Sequence, residues 1–248
     1  MTDPKTTRIN KYLSEAGYCS RREADRLIAE HRVTINGQVP AVGTKVDLGD
    51  DVRVDGRSIH ESTGPRVYLA FHKPVGIVCT TDTEGEPDNI IDYIGYPERI
   101  FPIGRLDKMS EGLIFLTNDG DIVNKILRAR NKHEKQYRVK LNYPITPQFL
   151  EQMAAGVAIL DTVTRPCRVR QISEKSFEMI LTQGLNRQIR RMCEALDYRV
   201  ARLQRVRIMN VRLDIPPGQW RDLTSGELAE INRMTQESVG TWEGDPAQ

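Results

Sequence analysis

The chain is poor in the residues that metal and redox chemistry need, with four cysteines and four histidines in 248 residues. Cys19, Cys79, Cys167 and Cys193 stand 60, 88 and 26 positions apart, so no C-x-x-C pair exists to hold zinc or to run a dithiol couple. They are read as reduced, mostly packed thiols. His31, His60, His72 and His133 are equally scattered, and H-E-x-x-H, G-x-S-x-G and P-loop patterns are all missing. A metal, a serine nucleophile and a bound nucleotide therefore have no support, and no cofactor is expected. No stretch approaches the roughly 18 apolar residues of a membrane span. The polar start Met1-Thr2-Asp3-Pro4-Lys5 has no signal-peptide segment either, so a soluble cytoplasmic protein without a membrane partner is expected. Aromatics make up only 6%, which disfavours a platform that stacks single strands regardless of sequence.

What is present is enough apolar residue, 39%, for one large domain or a medium one with a small companion. The formal charge of +2 conceals strong segregation. Residues 125–140 carry seven Lys or Arg against one acid, residues 165–212 carry twelve against four, and residues 213–248 carry two against seven. A charge run of this kind is either a solvated face or the footprint of a polyanion.

Periodicity gives an α+β chain. Ile9, Tyr12, Leu13 and Ala16 recur at helical spacing before Gly17, and Ser20 and Glu23 stand as a capping box before Ala24, Leu27 and Ile28. Arg21, Arg22 and Arg26 are left on the polar side. Asn36-Gly37 between Val33 and Val39 predicts a hairpin, followed by a short strand within 46–54, so residues 7–56 form a small unit. The small polar residues of 57–66 predict a linker to a larger domain over 67–235, and 236–248 a frayed tail.

In the larger part, strands are expected over 67–72, 135–141, 167–172 and 177–182. Helices are expected after Asp119-Gly120-Asp121, from Pro147 to near Gly156, from Arg187 to Leu196, and after the capping box of Thr224 and Glu227. Gly104-Arg105-Leu106-Asp107-Lys108 sets one carboxylate between two cations, where the chemistry is placed. Gly112 and Gly184 are read as turn residues.

Arg8-Ile9-Asn10-Lys11-Tyr12-Leu13 and Cys19-Ser20-Arg21-Arg22-Glu23-Ala24-Asp25 resemble the RNA-binding module named after ribosomal protein S-four. Four later motifs resemble, in order, those of RsuA-type pseudouridine synthases. They are His72-Lys73-Pro74-Val75-Gly76, Gly104-Arg105-Leu106-Asp107, Lys135-Gln136-Tyr137, and Gln183 through Met192 with Arg187-Gln188-Ile189-Arg190 at its centre. Within that family the match falls with the RluF branch, which modifies uridine in large-subunit ribosomal RNA. Members of the branch can carry a long basic C-terminal extension, and none is read here.

The resemblance implies a central mixed, mostly antiparallel sheet flanked by helices. The reaction it implies breaks the C1′–N1 bond of a uridine, turns the uracil and rejoins it through C5, without a cofactor or a required protein partner. It implies that Asp107 is the catalytic carboxylate, as nucleophile at C1′ or as base at the 2′ carbon, with both routes open. Arg190 is its basic partner, which a buried anion needs if it is to stay ionised. Tyr137 packs on the target base, and Arg105 fills the space of the flipped nucleotide or holds its phosphate. Leu106, Lys108, Arg187, Gln188, Ile189, Arg21 and Arg22 complete the expected RNA contacts. Transfer RNA is an alternative substrate. The competing classes are a non-catalytic ribosome-assembly factor that only binds RNA, and an N-glycosidase that releases uracil to water.

Overall fold

A computed structural model describes residues 6–60, 64–127 and 133–236. Met1–Lys5, positions 237–248 of the expected frayed tail, and Arg128, Arg130 and Lys132 of the first basic block lie outside the described residues. The chain divides into two compact units between Arg66 and Val67.

In the first unit β1 (Thr7–Arg8) runs straight into α1 (Ile9–Glu15), which buries Ile9 and Leu13. In α2 (Arg21–Ala29) the Ser20 hydroxyl accepts the Glu23 N–H at 3.1 Å. The predicted box is shown half formed, because the Glu23 carboxylate turns to Arg26, 2.6 Å from Nη2. Ala24, Leu27 and Ile28 are buried, and Arg21 and Arg22 are exposed.

After β2 (Val33–Ile35), Asn36 and Gly37 both take positive φ, 51° and 80°, and Ile35 and Gln38 exchange backbone hydrogen bonds. The tight turn predicted there is present, but the returning strand ends at this single bridge. The true partner of β2 lies further on, because the strand expected within 46–54 is broken by the turn at Asp47–Asp50 into β3 (Lys45–Val46) and β4 (Val52–Val54). β3 pairs with β1 and β4 with β2. Residues read as linker begin instead with β5 (Arg57–Ser58), paired to β4, and Ile59 packs on the small core. Both side chains of β5 are exposed, so it carries no apolar alternation to betray it.

The second unit runs β6 (Tyr68–Lys73), α3 (Ile90–Ile94), β7 (Phe101–Ile103), β8 (Glu111–Thr117), α4 (Gly120–Leu127) and β9 (Lys135–Leu141). It continues with α5 (Pro147–Ala155), the two-residue pair β10 (Ala158–Ile159) and β11 (Thr162–Val163), β12 (Arg168–Ser173), β13 (Ser176–Leu181) and α6 (Gln188–Glu194). It closes with β14 (Val200–Ile208), β15 (Val211–Arg212), β16 (Trp220–Asp222) and α7 (Ser225–Thr235), whose Thr224/Glu227 capping box is complete. Nine strands make one sheet in the order β12-β13-β9-β14-β8-β6-β16, with β15 on β14 and β7 on β8.

All of its pairings are antiparallel except β14 with β8, where Gln204 and Arg205 lie opposite Glu111 and Gly112. The mixed, mostly antiparallel sheet is as expected. Gly112, however, is no turn residue. It sits inside β8 at φ 112°, where a Cβ would fall 2.3 Å from the Arg205 carbonyl oxygen, so only glycine lets the two strands approach.

The sheet is covered on both faces. Leu69, Phe71, Ile114, Val139 and Phe177 pack with Phe149 and Met153 of α5 and Met192 of α6. Ala70, Leu113, Phe115 and Ile208 pack with Ile122 and Ile126 of α4 and Ile231 of α7. Fully buried side chains of this size each contribute about 1.5–3 kcal/mol. Among the described residues no helix is long and apolar enough to cross a membrane.

Candidate active site

The loop from β7 to β8 carries Asp107. Gly104 opens it at φ 82°, and the buried Leu106 donates its N–H to Cys79 Sγ at 3.4 Å. The Asp107 carbonyl accepts the Ser110 N–H at 2.9 Å, and the Lys108 carbonyl accepts the Gly76 N–H at 2.8 Å. The backbone around the carboxylate is thus held from both sides.

Arg190 reaches this loop from α6. Its Nη2 donates to the Met109 carbonyl at 2.8 Å and to Ser110 Oγ at 3.2 Å, while Nε stands 3.8 Å from Asp107 Oδ2. At that distance Nε and the carboxylate share a charge contact, not a hydrogen bond, and Nε is buried without an acceptor. The Asp107 oxygen keeps its lone pairs for an incoming atom. Burial pulls the Arg190 pKa below its ordinary value, against the opposing attraction of Asp107.

Tyr137 lies on β9, 9% exposed, between Met179 of β13 and Arg205 of β14. Asp107, Tyr137, Leu106 and Ile189 line one cavity of about 620 Å³, within the roughly 300–1,000 Å³ typical of small-molecule sites. Arg190 stands behind this lining. Arg105 and Arg187 also line it, both exposed and without an ion pair to a described residue. Arg187 begins α6 in the left-handed region, φ 49°, which costs a non-glycine residue about 1–3 kcal/mol.

Two expected RNA contacts are occupied otherwise. Gln188 is buried, its Oε1 accepting the Leu185 N–H at 3.0 Å and its Nε2 lying 3.8 Å from Met192 Sδ, so its amide closes the loop before α6. The Lys108 ammonium is 3.1 Å from Asp88 Oδ2 and 3.5 Å from Glu86 Oε1, and Asp88 foremost raises its pKa. A phosphate would have to displace those carboxylates. Arg21 and Arg22 lie in the first turn of α2, in the other unit.

Three cations near Asp107 escaped the sequence reading. Lys73 is fully buried, donating to the Pro74 carbonyl at 2.7 Å. Burial lowers its pKa to about 8 despite the pull of Cys79, Asp107 and Glu111. Lys135 lines the cavity and is likewise lowered to about 8, by burial first and then by the Arg205 charge. Arg205 lines it too, 3% exposed, with Nε on the Leu113 carbonyl at 2.6 Å and Nη2 without a partner. Strand alternation could have found Lys135, two residues before Tyr137 on the same face. Nothing marks Arg205 among the twelve cations of its block.

Four further cations of that block, Arg168, Arg170, Arg202 and Arg207, are spent on ion pairs away from Asp107. Glu178 accepts from Arg138 Nε at 2.9 Å and Arg170 Nη2 at 2.6 Å, Glu134 pairs with Arg207 at 2.8 Å and with Arg168, and Glu111 pairs with Arg202.

Asp107, with Arg190 Nε 3.8 Å away, thus shares one cavity on the mixed sheet with Tyr137, the three residues that the resemblance to RNA uridine isomerases singles out. The family described as RNA pseudouridylate synthase matches residues 67–195, and the S4 domain matches residues 7–58. The chain belongs to the RNA pseudouridine synthases, in their RsuA-type group, and is an isomerase. It is 55% identical over 240 residues to the dual-specificity RNA pseudouridine synthase RluF of Salmonella typhi, covering 96% of this chain and 83% of that one. Its identity to RluF of Escherichia coli K12 is 52%, over 96% of this chain and 82% of the relative. The ribosomal small subunit pseudouridine synthase A of Yersinia pestis is 32% identical, over 90% and 97%. A crystal structure of a pseudouridylate synthase superposes with a TM-score of 0.66 at 26% identity, covering 92% of this chain and 99% of that one.

Proposed function

We propose that the enzyme isomerises a specific uridine of large-subunit ribosomal RNA, with Asp107 acting on the nucleotide. The observation that carries the assignment to Asp107 is its geometry: its carboxylate stands 3.8 Å from the buried Nε of Arg190, in the same cavity as Tyr137. The target uridine leaves its stack, at a cost of a few kcal/mol, and enters the cavity with its base against Tyr137, Leu106 and Ile189. Arg105 and Arg187 at the rim meet the flipped nucleotide's phosphates.

The likeness to the S4 module supports a division of labour in which the first unit, through Arg21 and Arg22, grips an RNA stem. Its basic helix face suits the phosphate backbone, and binding weakens with salt as counterions are released. Transfer RNA is the second substrate class, favoured by the words "dual-specificity" in the names of the RluF relatives. The ribosomal substrate places the enzyme in the cytoplasm. No protein partner and no cofactor enter this scheme.

The test is incubation of the protein and of Asp107→Asn with unmodified ribosomal RNA, then carbodiimide labelling and reverse-transcription mapping. A stop in large-subunit RNA is expected with the wild type alone, while Asp107→Asn binds RNA within about threefold of wild type, as for a group that acts in the chemical step. Equal loss of binding and turnover would take the chemistry away from Asp107. Tight binding without a stop in that RNA would move the substrate elsewhere, and free uracil would mean hydrolysis.

A further inference from the structure

Besides the exposed Arg105 and Arg187, two less exposed cations of the cavity have no described carboxylate to neutralise them. Lys135 makes no hydrogen bond or ion pair with a described residue, and Arg205, 3% exposed, has no ion pair and leaves Nη2 unpartnered. They lie close enough for Arg205 to disfavour the Lys135 charge. Bringing like charges together away from water is costly, and such an arrangement persists where a ligand supplies the opposite charge. The carboxylate of Asp107 is already met by Arg190.

The position of Lys135 says which part of the substrate brings that charge. It precedes Tyr137 by two residues on an alternating strand, so the ammonium and the aromatic ring share one face of β9. Phosphates are served by the exposed Arg105 and Arg187, whereas Lys135 lines the cavity beside Tyr137, the ring proposed to receive the base. The base becomes negative during the reaction. Whether Asp107 attacks C1′ or removes the 2′ proton, the C1′–N1 bond breaks with its electron pair left on uracil, and that charge spreads over O2 and O4.

The geometry points to Lys135 as a further catalytic residue, its ammonium holding a carbonyl oxygen of the detached uracil anion, with Arg205 as the buried positioning charge behind it. Uracil has an approximate twofold axis through N3 and C6. A half-turn about it exchanges N1 with C5 and also O2 with O4. A fixed cation therefore meets one oxygen before the turn and the other after it, holding the base at the same point throughout. C5 then donates an electron pair to C1′, which releases the Asp107 carboxylate on the first route and goes with return of the 2′ proton on the second; the C5 proton departs and a proton ends on N1, so substrate and product have the same composition. A cation aimed at charge that develops only after bond breaking accelerates the reaction without tightening substrate binding.

This inference rests on the site proposed above, and the experiment separates the two. Single-turnover rates at saturating RNA would be measured for wild type, Lys135→Met, Lys135→Arg, Arg205→Met and Asp107→Asn. The substrates would carry uridine, 2-thiouridine or 4-thiouridine at the target. Lys135→Met should slow the chemical step about 100-fold, the loss typical of a missing donor to developing charge, with RNA affinity within about threefold. Lys135→Arg should recover most of the rate.

Sulfur is the poorer acceptor, so both thio substitutions should slow the wild type, and neither should slow Lys135→Met further, the signature of a direct contact in a double-mutant cycle. Arg205→Met, checked for folding by thermal melting, should slow the step about tenfold and reduce the thio effect without abolishing it. Multiplicative losses, an unchanged rate in Lys135→Met, or a loss in affinity alone would each overturn the assignment. Failure of the underlying site would look different, since Asp107→Asn would then keep its turnover.

Discussion

On the outward face of β9, Arg138 shares Glu178 with Arg170, and both guanidiniums are more than half exposed. Facing the cavity three residues earlier, Lys135 has no carboxylate at all, and neither does its neighbour Arg205. The two faces draw on the same residue types. On the outer one Glu178 serves both guanidiniums and water screens what is left, so such pairs contribute about 0–1 kcal/mol each. On the inner one charge is buried ahead of its partner, and the missing partner is the substrate. A count of cations along the sequence cannot tell these apart, whereas pairing and burial can.

The contrast can be broken or sharpened by substitution. The largest effect is expected at Arg190, which anchors the loop of Asp107 through Met109 and Ser110 and faces that carboxylate. Arg190→Met should lower the single-turnover rate about 1,000-fold, roughly 4 kcal/mol. A rate within tenfold of wild type would mean that Asp107 does not depend on that charge.

Next comes Lys73, whose pKa falls from the ordinary 10.5 to about 8 on burial. Between those values the unfolded chain holds the proton more firmly than the folded one. Burial of the charge therefore costs stability below pH 8, and stability rises as pH climbs from 8 towards 10.5. Relative to Lys73→Met, the wild type should gain up to about 3 kcal/mol across that window, measured by denaturant unfolding. A flat difference would place Lys73 among the ordinary solvated lysines.

The smallest effect belongs to the outer face. Arg138→Ala should change stability by less than about 1 kcal/mol and leave the saturated rate unaltered. A large loss of rate there would erase the distinction between the faces.

Much of this arrangement is legible in the residues. The alternation of Lys135 to Leu141 gives β9, the Thr224 box gives the start of α7, and the four ordered motifs contain Asp107 and Tyr137, which share one cavity, and Arg190, 3.8 Å from Asp107. β14 is not legible. Bulges between Val200 and Arg202 and between Arg205 and Arg207 shift its phase, and its arginines resemble a charge run more than a strand. β8 is buried at every position, so it shows no alternation, and the demand for glycine at 112 comes from a strand almost a hundred residues away. The engagements of Lys108 and Gln188 depend on Asp88 and Leu185, which no local pattern links to them.

The place of β14 also sets when the enzyme comes alive. Asp107 precedes β8 and Tyr137 lies on β9, yet these strands are not neighbours, and the gap between them is closed by residues 200–208. A growing chain carries its carboxylate and its aromatic ring long before they can meet. It then waits for a late segment to thread between two earlier ones, the kind of distant pairing that folds slowly. The cavity is thereby closed only once residues 200–208 are in place between its two walls.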